Sequence, residues 1–204
     1  MTRRSGVIVA GGRSVRMGEP EKTVVSVAGT PLIRRVADRL AAVTDELIVN
    51  CRDDQREAIA EALDGLDVET RFAVDDVPDR GPVAGIERGL EAVETEYAVV
   101  VAADMPFLDP DLITHLFERA TGHDVAIPRP DEWFEPLHAV YRAEPAVEAC
   151  DRALQHENPR IIEPISSLDR VVVARDELLE YGSLDSFDSV DTPEDVMWAD
   201  GRLS

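Results

Sequence analysis

The chain has 204 residues, with 42 acidic side chains against 21 basic ones and a net charge of −21. That surface repels nucleic acids and anionic membranes, so neither is expected as a partner, and no apolar run reaches the length of a membrane span. Cys51 and Cys150 are far apart and form no C-x-x-C, which predicts buried thiols rather than a disulfide or a metal site. The length suits a single domain over residues 1–204, large enough for a three-layer core. Met1-Thr-Arg-Arg leads straight into the first apolar run, so no signal peptide is expected and the chain reads as cytoplasmic.

Strand and helix signals alternate. Residues 7–10 (Val-Ile-Val-Ala) predict a first buried strand, broken by Gly11-Gly12. Residues 31–43 predict a helix with Leu32, Val36, Leu40 and Val43 on one face and a proline near its start. Residues 46–51 predict a second strand, 55–66 an amphipathic helix with Ile59, Leu63 and Leu66 inward, and 69–74 a third strand. Gly81-Pro82 opens a helix over 83–93. Residues 97–103 (Tyr-Ala-Val-Val-Val-Ala-Ala) are the most apolar run and predict a central strand. Then come a helix over 110–120, strands at 124–127 and 137–141, helices at 145–154 and 161–166, and a strand at 171–174. A terminal helix begins at 193–198, with Thr192 as its N-cap. Residues 128–136, rich in proline, predict an irregular loop. The alternation predicts an α/β, three-layer Rossmann-like fold with a mainly parallel, mixed central sheet. On such sheets ligands lie beyond the carboxyl ends of the strands. That rule gathers Gly11-Gly12, Asn50, Asp75 and Asp104 on one edge.

The first of these stretches carries the strongest chemical signal. A strand ends in two glycines whose amides nothing shields, and Arg13, Arg16 and Lys22 bring positive charge to the same loop. Such a loop is suited to phosphate. Lys22 is the only lysine in the chain; the other 20 basic residues are arginine. A surface lysine after a turn is the plain alternative, but one lysine placed here favours use as a compact point charge. The spacing fits neither a P-loop nor G-x-G-x-x-G.

Asp104 follows the apolar run directly. A carboxylate there either caps the turn before Met105-Pro106 or holds Mg²⁺ together with substrate phosphates; a phosphate loop on the same edge favours the metal. Asp191 either caps the last helix, in competition with Thr192, or gives a second metal or acceptor contact. Asp75 suits a base or a ribose, whereas Asp76 reads as ordinary surface acid. The small residues from Gly81-Pro82 to Gly85 let a flat ring or a phosphate approach a helix start. His138 reads as a strand-face histidine. His115, His123 and His156 lack zinc-site spacing, and no serine sits in a G-x-S-x-G.

The pattern Val9-Ala-Gly-Gly-Arg-Ser-Val-Arg-Met-Gly resembles the signature loop of nucleotidyltransferases. With it go Lys22, Gly29-Thr-Pro-Leu, Asn50, Asp75, Gly81-Pro-Val-Ala-Gly-Ile, Asp104-Met-Pro-Phe-Leu, Pro136-Leu-His-Ala-Val-Tyr-Arg and Asp191-Thr-Pro-Glu-Asp. Together they resemble the molybdenum cofactor guanylyltransferases, the MobA-type family, over nearly the whole chain. The resemblance implies a nucleotidyltransferase fold and the transfer of GMP from GTP to the terminal phosphate of molybdenum-loaded molybdopterin, with release of pyrophosphate. It implies nucleotide contacts at Val9, Ala10, Gly11, Lys22, Asn50 and Asp75, with Mg²⁺ on Asp104. From their own residue types and places, Gly12, Gly81, Pro82 and Asp104 join the expected nucleotide contacts, and Arg16, Lys22 and Asp104 are expected to carry catalysis by stabilising charge. Molybdoenzymes or molybdopterin-delivery proteins are partners through the family only. The family often carries Asn-x-Asn-Thr-Pro-Glu where this chain has Ser189-Val-Asp191-Thr-Pro-Glu, a departure that bears on the acceptor more than on GTP. Two rival readings are a guanylyltransferase acting on cobinamide phosphate and a GTP-binding regulator without turnover; Lys22 and Asp104 together speak against a mere binder.

Acid-rich, lysine-poor composition resembles proteins of salt-loaded cytoplasm, where counterions screen self-repulsion. Stability measured by thermal unfolding should therefore rise in molar KCl and collapse in dilute buffer. Equal stability in both would remove that reading.

Overall fold

The structure, a computed structural model, describes residues 3–12, 22–77 and 80–204, and of Lys22 the backbone alone. In chain order the elements are β1 (Ser5–Val9), the short hairpin β2 (Ser26–Val27) and β3 (Thr30–Pro31), α1 (Leu32–Ala41), β4 (Glu46–Cys51), α2 (Arg56–Ala62), β5 (Glu69–Val74), α3 (Pro82–Glu91), β6 (Tyr97–Ala102) and α4 (Pro110–Ala120). The second half adds β7 (Val125–Arg129), β8 (His138–Arg142), α5 (Ala143–Leu154), α6 (Glu163–Ser166), β9 (Arg170–Ala174), α7 (Arg175–Tyr181) and α8 (Pro193–Leu203).

Seven strands form one sheet in the order β5-β4-β1-β6-β8-β7-β9. Only β8 runs against its neighbours; every other pairing is parallel. The apolar run of β6 stands in the middle, as its composition predicts, with Ala98 to Val101 fully buried. Alternate residues feed two cores. Ile8, Leu47, Val49, Val99 and Val101 face α1, α2 and α4, while Val7, Ile48, Ala98 and Val100 face α3 and α5. This is the mixed, mainly parallel three-layer arrangement expected from the alternation of signals.

Several boundaries differ from expectation. The first strand begins earlier, at Ser5, because Gly6 and Ser5 still pair with β4 and β6. The helix expected over 55–66 is a 3-10 turn, Asp53–Gln55, followed by the shorter α2. The strand β7 continues through Pro128 to Arg129, so the irregular loop is 130–137. The segment 161–166 is helical only from Glu163. Four pieces carry no clear apolar period and escape sequence reading: a 3-10 turn at Lys22–Val24, the β2–β3 hairpin, α7, and a 3-10 turn at Leu184–Phe187. Thr192 is the N-cap of α8, its hydroxyl accepting from the Asp195 amide in a reciprocal capping box; Asp191 is not the cap.

Both cysteines are free and buried, and burial pushes their thiols up to about 11 at Cys51 and about 12 at Cys150. His138 is a strand-face histidine, fully buried beside Phe187, and burial pulls its imidazole down to about 4. None of the helices formed by the described residues is long and apolar enough to cross a membrane.

At the amino ends of the strands a charged cluster locks β1, β4 and β5 together. Glu46 is 2% exposed and accepts from Ser5 Oγ and from Arg71 Nη2 (2.9 Å). Burial alone would raise its carboxyl; the bonds from Ser5 and Arg71 together outweigh burial and hold it below the usual range. A carboxyl lowered in the folded state stabilises the fold fully above its unfolded pKa and loses that contribution as pH falls through its folded value. Glu46→Gln should therefore cost about 1–3 kcal/mol near neutral pH, and the gap from wild type should close as pH falls below about 4. Urea unfolding across that range tests it; a gap that stays constant would mean Glu46 is not held ionised.

Candidate functional site

The parallel register brings four strand exits together. The Ala10 amide donates to the Asn50 carbonyl (2.9 Å), the Ala103 amide to the Val9 carbonyl (3.2 Å) and the Asp75 amide to the Cys51 carbonyl (2.9 Å). Ala10-Gly11-Gly12, Asn50, Asp75 and the approach to Asp104 thus share the carboxyl edge of β5-β4-β1-β6.

Two side chains that sequence reasoning missed set the glycine turn. Gln55 Nε2 donates to the Ala10 carbonyl (3.0 Å), and Arg52 Nη1 donates to the carbonyls of Gly11 (3.1 Å) and Gly12 (3.0 Å). Both are buried, at 2% and 7% exposure. Gln55 Oε1 also accepts from the Arg52 amide (2.9 Å), so the pair forms one unit. In a trans peptide the C=O and the following N–H point in opposite directions. With the carbonyls of Ala10 and Gly11 drawn toward Gln55 and Arg52, the amides of Gly11 and Gly12 point the other way. A turn with its carbonyls spent on one side and its amides presented on the other is suited to an anion. Arg52 lies in Asn-Cys-Arg-Asp-Asp-Gln, and the sequence offers only its place just past a buried strand as a signal.

Asn50 is fully buried. Its Nδ2 donates to the Ala73 carbonyl (3.1 Å) and to Asp75 Oδ1 (2.6 Å), whereas Oδ1 has no partner among the described residues. Two acceptors on one atom fix which end of the amide is nitrogen. Oδ1 sits between two glycines. A Cβ on Gly85 would stand 2.6 Å from it, and one on Gly11 would stand 2.5 Å from Asp75 Oδ2. Burial raises the Asp75 carboxyl, against the lowering effect of the Asn50 bond. Asp76, by contrast, is an exposed partner of Arg88 (3.4 Å), the surface role expected for it.

Asp104 is reached from the C-terminal side of the chain. The Val190 amide donates to the Asp104 carbonyl (2.9 Å), which brings Ser189 and Asp191 to the same place. Ser189 Oγ donates to Asp191 Oδ2 (2.9 Å), and the amides of Asp191 and Thr192 both donate to Asp195 Oδ2. The far end of the 104–109 turn is clasped as well: the Asp109 amide donates to buried Ser186 Oγ (2.9 Å), and the Ser183 amide donates to Asp109 Oδ2 (3.0 Å). The segment 183–191 is therefore a strap bonded to both ends of the Asp104 turn.

Of the residues singled out from sequence, Val9, Ala10, Gly11, Gly12, Asn50, Asp75, Asp104 and Asp191 lie along this edge. Gly81, at φ +84°, and Pro82 start α3, whose Gly85 touches the Asn50 amide. Arg13 and Arg16 lie outside the described residues, and so does the Lys22 side chain. Adding a methyl at Gly85 would drive Asn50 and Val9 apart, Val9 Cγ1 being 2.8 Å from the new atom. Gly85→Ala should cost about 1–3 kcal/mol by overpacking, read as a lower unfolding midpoint in urea. An unchanged midpoint would mean the contact is slack.

Comparison with known proteins points the same way as the turn. A family profile described as a MobA-like NTP transferase domain matches residues 6–175. The "Probable molybdenum cofactor guanylyltransferase" of Natronomonas pharaonis is 65% identical over 204 residues, 100% of both chains. The protein of that name from Haloferax mediterranei is 38% identical over 96% of this chain and 92% of its own. The crystal structure of molybdopterin-guanine dinucleotide biosynthesis protein A from Archaeoglobus fulgidus superposes with a TM-score of 0.80 at 29% identity, covering 98% of each chain. The anion-ready turn on a mainly parallel sheet and this run of likenesses agree, and the chain belongs to the MobA-like NTP transferase family.

Proposed function

We propose that the chain transfers GMP from GTP to the terminal phosphate of molybdenum-loaded molybdopterin, forming the guanine dinucleotide cofactor and pyrophosphate, and that residues 1–204 act as one unit in doing so. The observation that carries the reading is the turn at Ala10-Gly11-Gly12, tethered through its carbonyls by Gln55 and Arg52 beside a buried Asn50 whose Oδ1 awaits a donor. The names of relatives that match the chain from end to end support the substrates.

In this reading the nucleotide lies on the β5-β4-β1 part of the edge. The amides of Gly11 and Gly12 receive phosphate oxygens, and Asn50, Asp75, Gly81 and Pro82 line the base and ribose. The acceptor phosphate oxygen attacks the α-phosphorus in line with departing pyrophosphate; a bond to the acceptor oxygen forms as the bond to the bridging oxygen breaks. Positioning and charge dominate such transfers. Lys22 and Arg16 stabilise the charge that grows on pyrophosphate. No side-chain nucleophile is required.

Among the described residues no three carboxylates, histidines or cysteines converge, so a cage made wholly of protein ligands does not fit there. The set proposed is Asp104 with Asp191, which neighbours the Val190 whose amide bonds to the Asp104 carbonyl; one or two carboxylates and nucleotide phosphates are what Mg²⁺ accepts. Mg²⁺ held there would neutralise phosphate oxygens during transfer.

The test is pyrophosphate release from Mg²⁺·GTP in high-salt buffer, with molybdenum-loaded molybdopterin as acceptor and CTP as the nucleotide control. Release with GTP and this acceptor is expected. Release with cobinamide phosphate instead would overturn the acceptor, and tight GTP binding without turnover would leave a regulator. Lys22→Ala should lower the rate by about 10²-fold or more, and Asp104→Asn should abolish metal-dependent turnover with the fold intact. Full activity in either variant would remove its assigned role.

A further inference from the structure

The loop between β7 and β8 is held by bonds along its length. An Arg175 Nη donates to the Pro130 carbonyl (2.9 Å), the Trp133 amide to Asp131 Oδ1 (2.8 Å), the Glu135 amide to the Pro128 carbonyl (3.0 Å), and the buried Tyr141 hydroxyl to the Pro136 carbonyl (2.8 Å). Phe134 packs on the core below, with the Arg129 guanidinium 6.0 Å from its ring centre. A loop fixed this firmly nonetheless presents two groups that burial and solvent both disfavour. The Trp133 indole is 70% exposed. Glu135 is half-buried, and its carboxylate has no hydrogen-bond or ion-pair partner among the described residues. Burial, with Asp131 adding to it, pushes that carboxyl up. An unpaired carboxylate withdrawn from water is costly, and neither group is explained by the packing of the loop.

Their place on the sheet gives the reason. Antiparallel β8 begins where parallel β6 ends: Val101 pairs with His138, and the Ala102 amide donates to the Leu137 carbonyl (3.2 Å). Glu135 thus stands at the corner beside the exit that delivers Asp104. From β4, which carries Asn50, to β8 is three strand spacings, about 14 Å. A base seated at Asn50 and Asp75 does not reach across that distance.

We propose that Glu135 and Trp133 form the acceptor subsite, the carboxylate accepting paired hydrogen bonds from the amino-pyrimidinone N–H edge of a pterin while the indole lies against its face. A carboxylate offers two acceptors side by side, matching the adjacent ring N–H and amino group of that edge. Guanine presents the same edge, so the chemistry admits both sources, and position assigns it to the acceptor. The inference rests on the reading that the acceptor is molybdopterin.

The test separates the two. Metal-free molybdopterin is titrated into the Trp198→Phe protein, in which Trp133 is the sole remaining tryptophan of the two, and quenching of its fluorescence gives the affinity. Glu135→Gln in the same background should weaken that affinity by about 10- to 100-fold, while GTP affinity by calorimetry stays within about twofold and the unfolding midpoint is unmoved. Trp133→Phe, measured by calorimetry, should retain more pterin affinity than Trp133→Ala. Unchanged molybdopterin affinity in Glu135→Gln overturns the subsite. Weakened GTP binding with molybdopterin binding intact overturns it in favour of guanine. A shifted Mg²⁺ half-saturation with both affinities intact overturns it in favour of a cation ligand. Failure of the proposed reaction would show instead as no pyrophosphate release by wild type, a result the titration does not depend on.

Discussion

The site depends on where three backbone carbonyls go. Those of Ala10, Gly11 and Gly12 are taken by Gln55 and Arg52, two buried side chains from the exit of the neighbouring strand. A glycine turn left to itself samples many conformations, and ordering it on ligand binding would cost conformational entropy. Here that ordering belongs to folding: Arg52 and Gln55, between β4 and α2, hold the turn through its carbonyls. The tether also explains why the positive charge of Arg52 is directed at backbone rather than phosphate. Its guanidinium is largely spent on the two carbonyls and on Asp54 (3.0 Å), so it shapes the turn.

On the other side of Asp104 the constraint comes from late in the sequence. The strap 183–191 bonds to the Asp104 carbonyl and to Asp109 at the two ends of one turn. Gly182 permits the approach, since a Cβ there would lie 2.6 Å from Asp109 Oδ2. Beneath the strap lies the buried ring of His138 against Phe187. Chain segments more than 70 residues apart in sequence thus meet at the Asp104 turn, and the site is completed only when the C-terminal part of the chain has docked.

Period and context decide how much of this is legible in the sequence. The strands are readable because buried parallel strands are continuous apolar runs, and β4 and β5 match expectation residue for residue. Their exits put Gly11, Asn50 and Asp75 on one edge through the general rule for such sheets. The hairpin β2–β3 is two residues on each side, too short for any period to show. The helix α7, Arg-Asp-Glu-Leu-Leu-Glu-Tyr, buries only Leu178 and so shows no apolar stripe. Arg52 and Gln55 escape notice for a different reason. Polar side chains that bond to backbone carry no pattern of their own, and in a chain with 21 basic residues one more arginine does not stand out. Asp191 and Thr192 compete for the helix cap in the sequence; Thr192 holds that place because its hydroxyl and the Asp195 carboxylate close a reciprocal pair.

The single reversed strand has a consequence for how the molecule can change. Strands β4, β1 and β6 furnish the working edge with the segments that leave them, whereas β8 furnishes it with the segment that enters it. The edge is therefore built from two kinds of connection. On the β4-β1 side, residues 10–12 and 52–55 leave their strands tied to one another through Arg52 and Gln55; the β7–β8 connection, residues 130–137, is held apart from them by its own bonds at its two ends. Residues at its tip can be exchanged, or the loop lengthened, without disturbing the turn that Arg52 and Gln55 hold. One scaffold can in this way keep one side of its edge fixed while the other side varies.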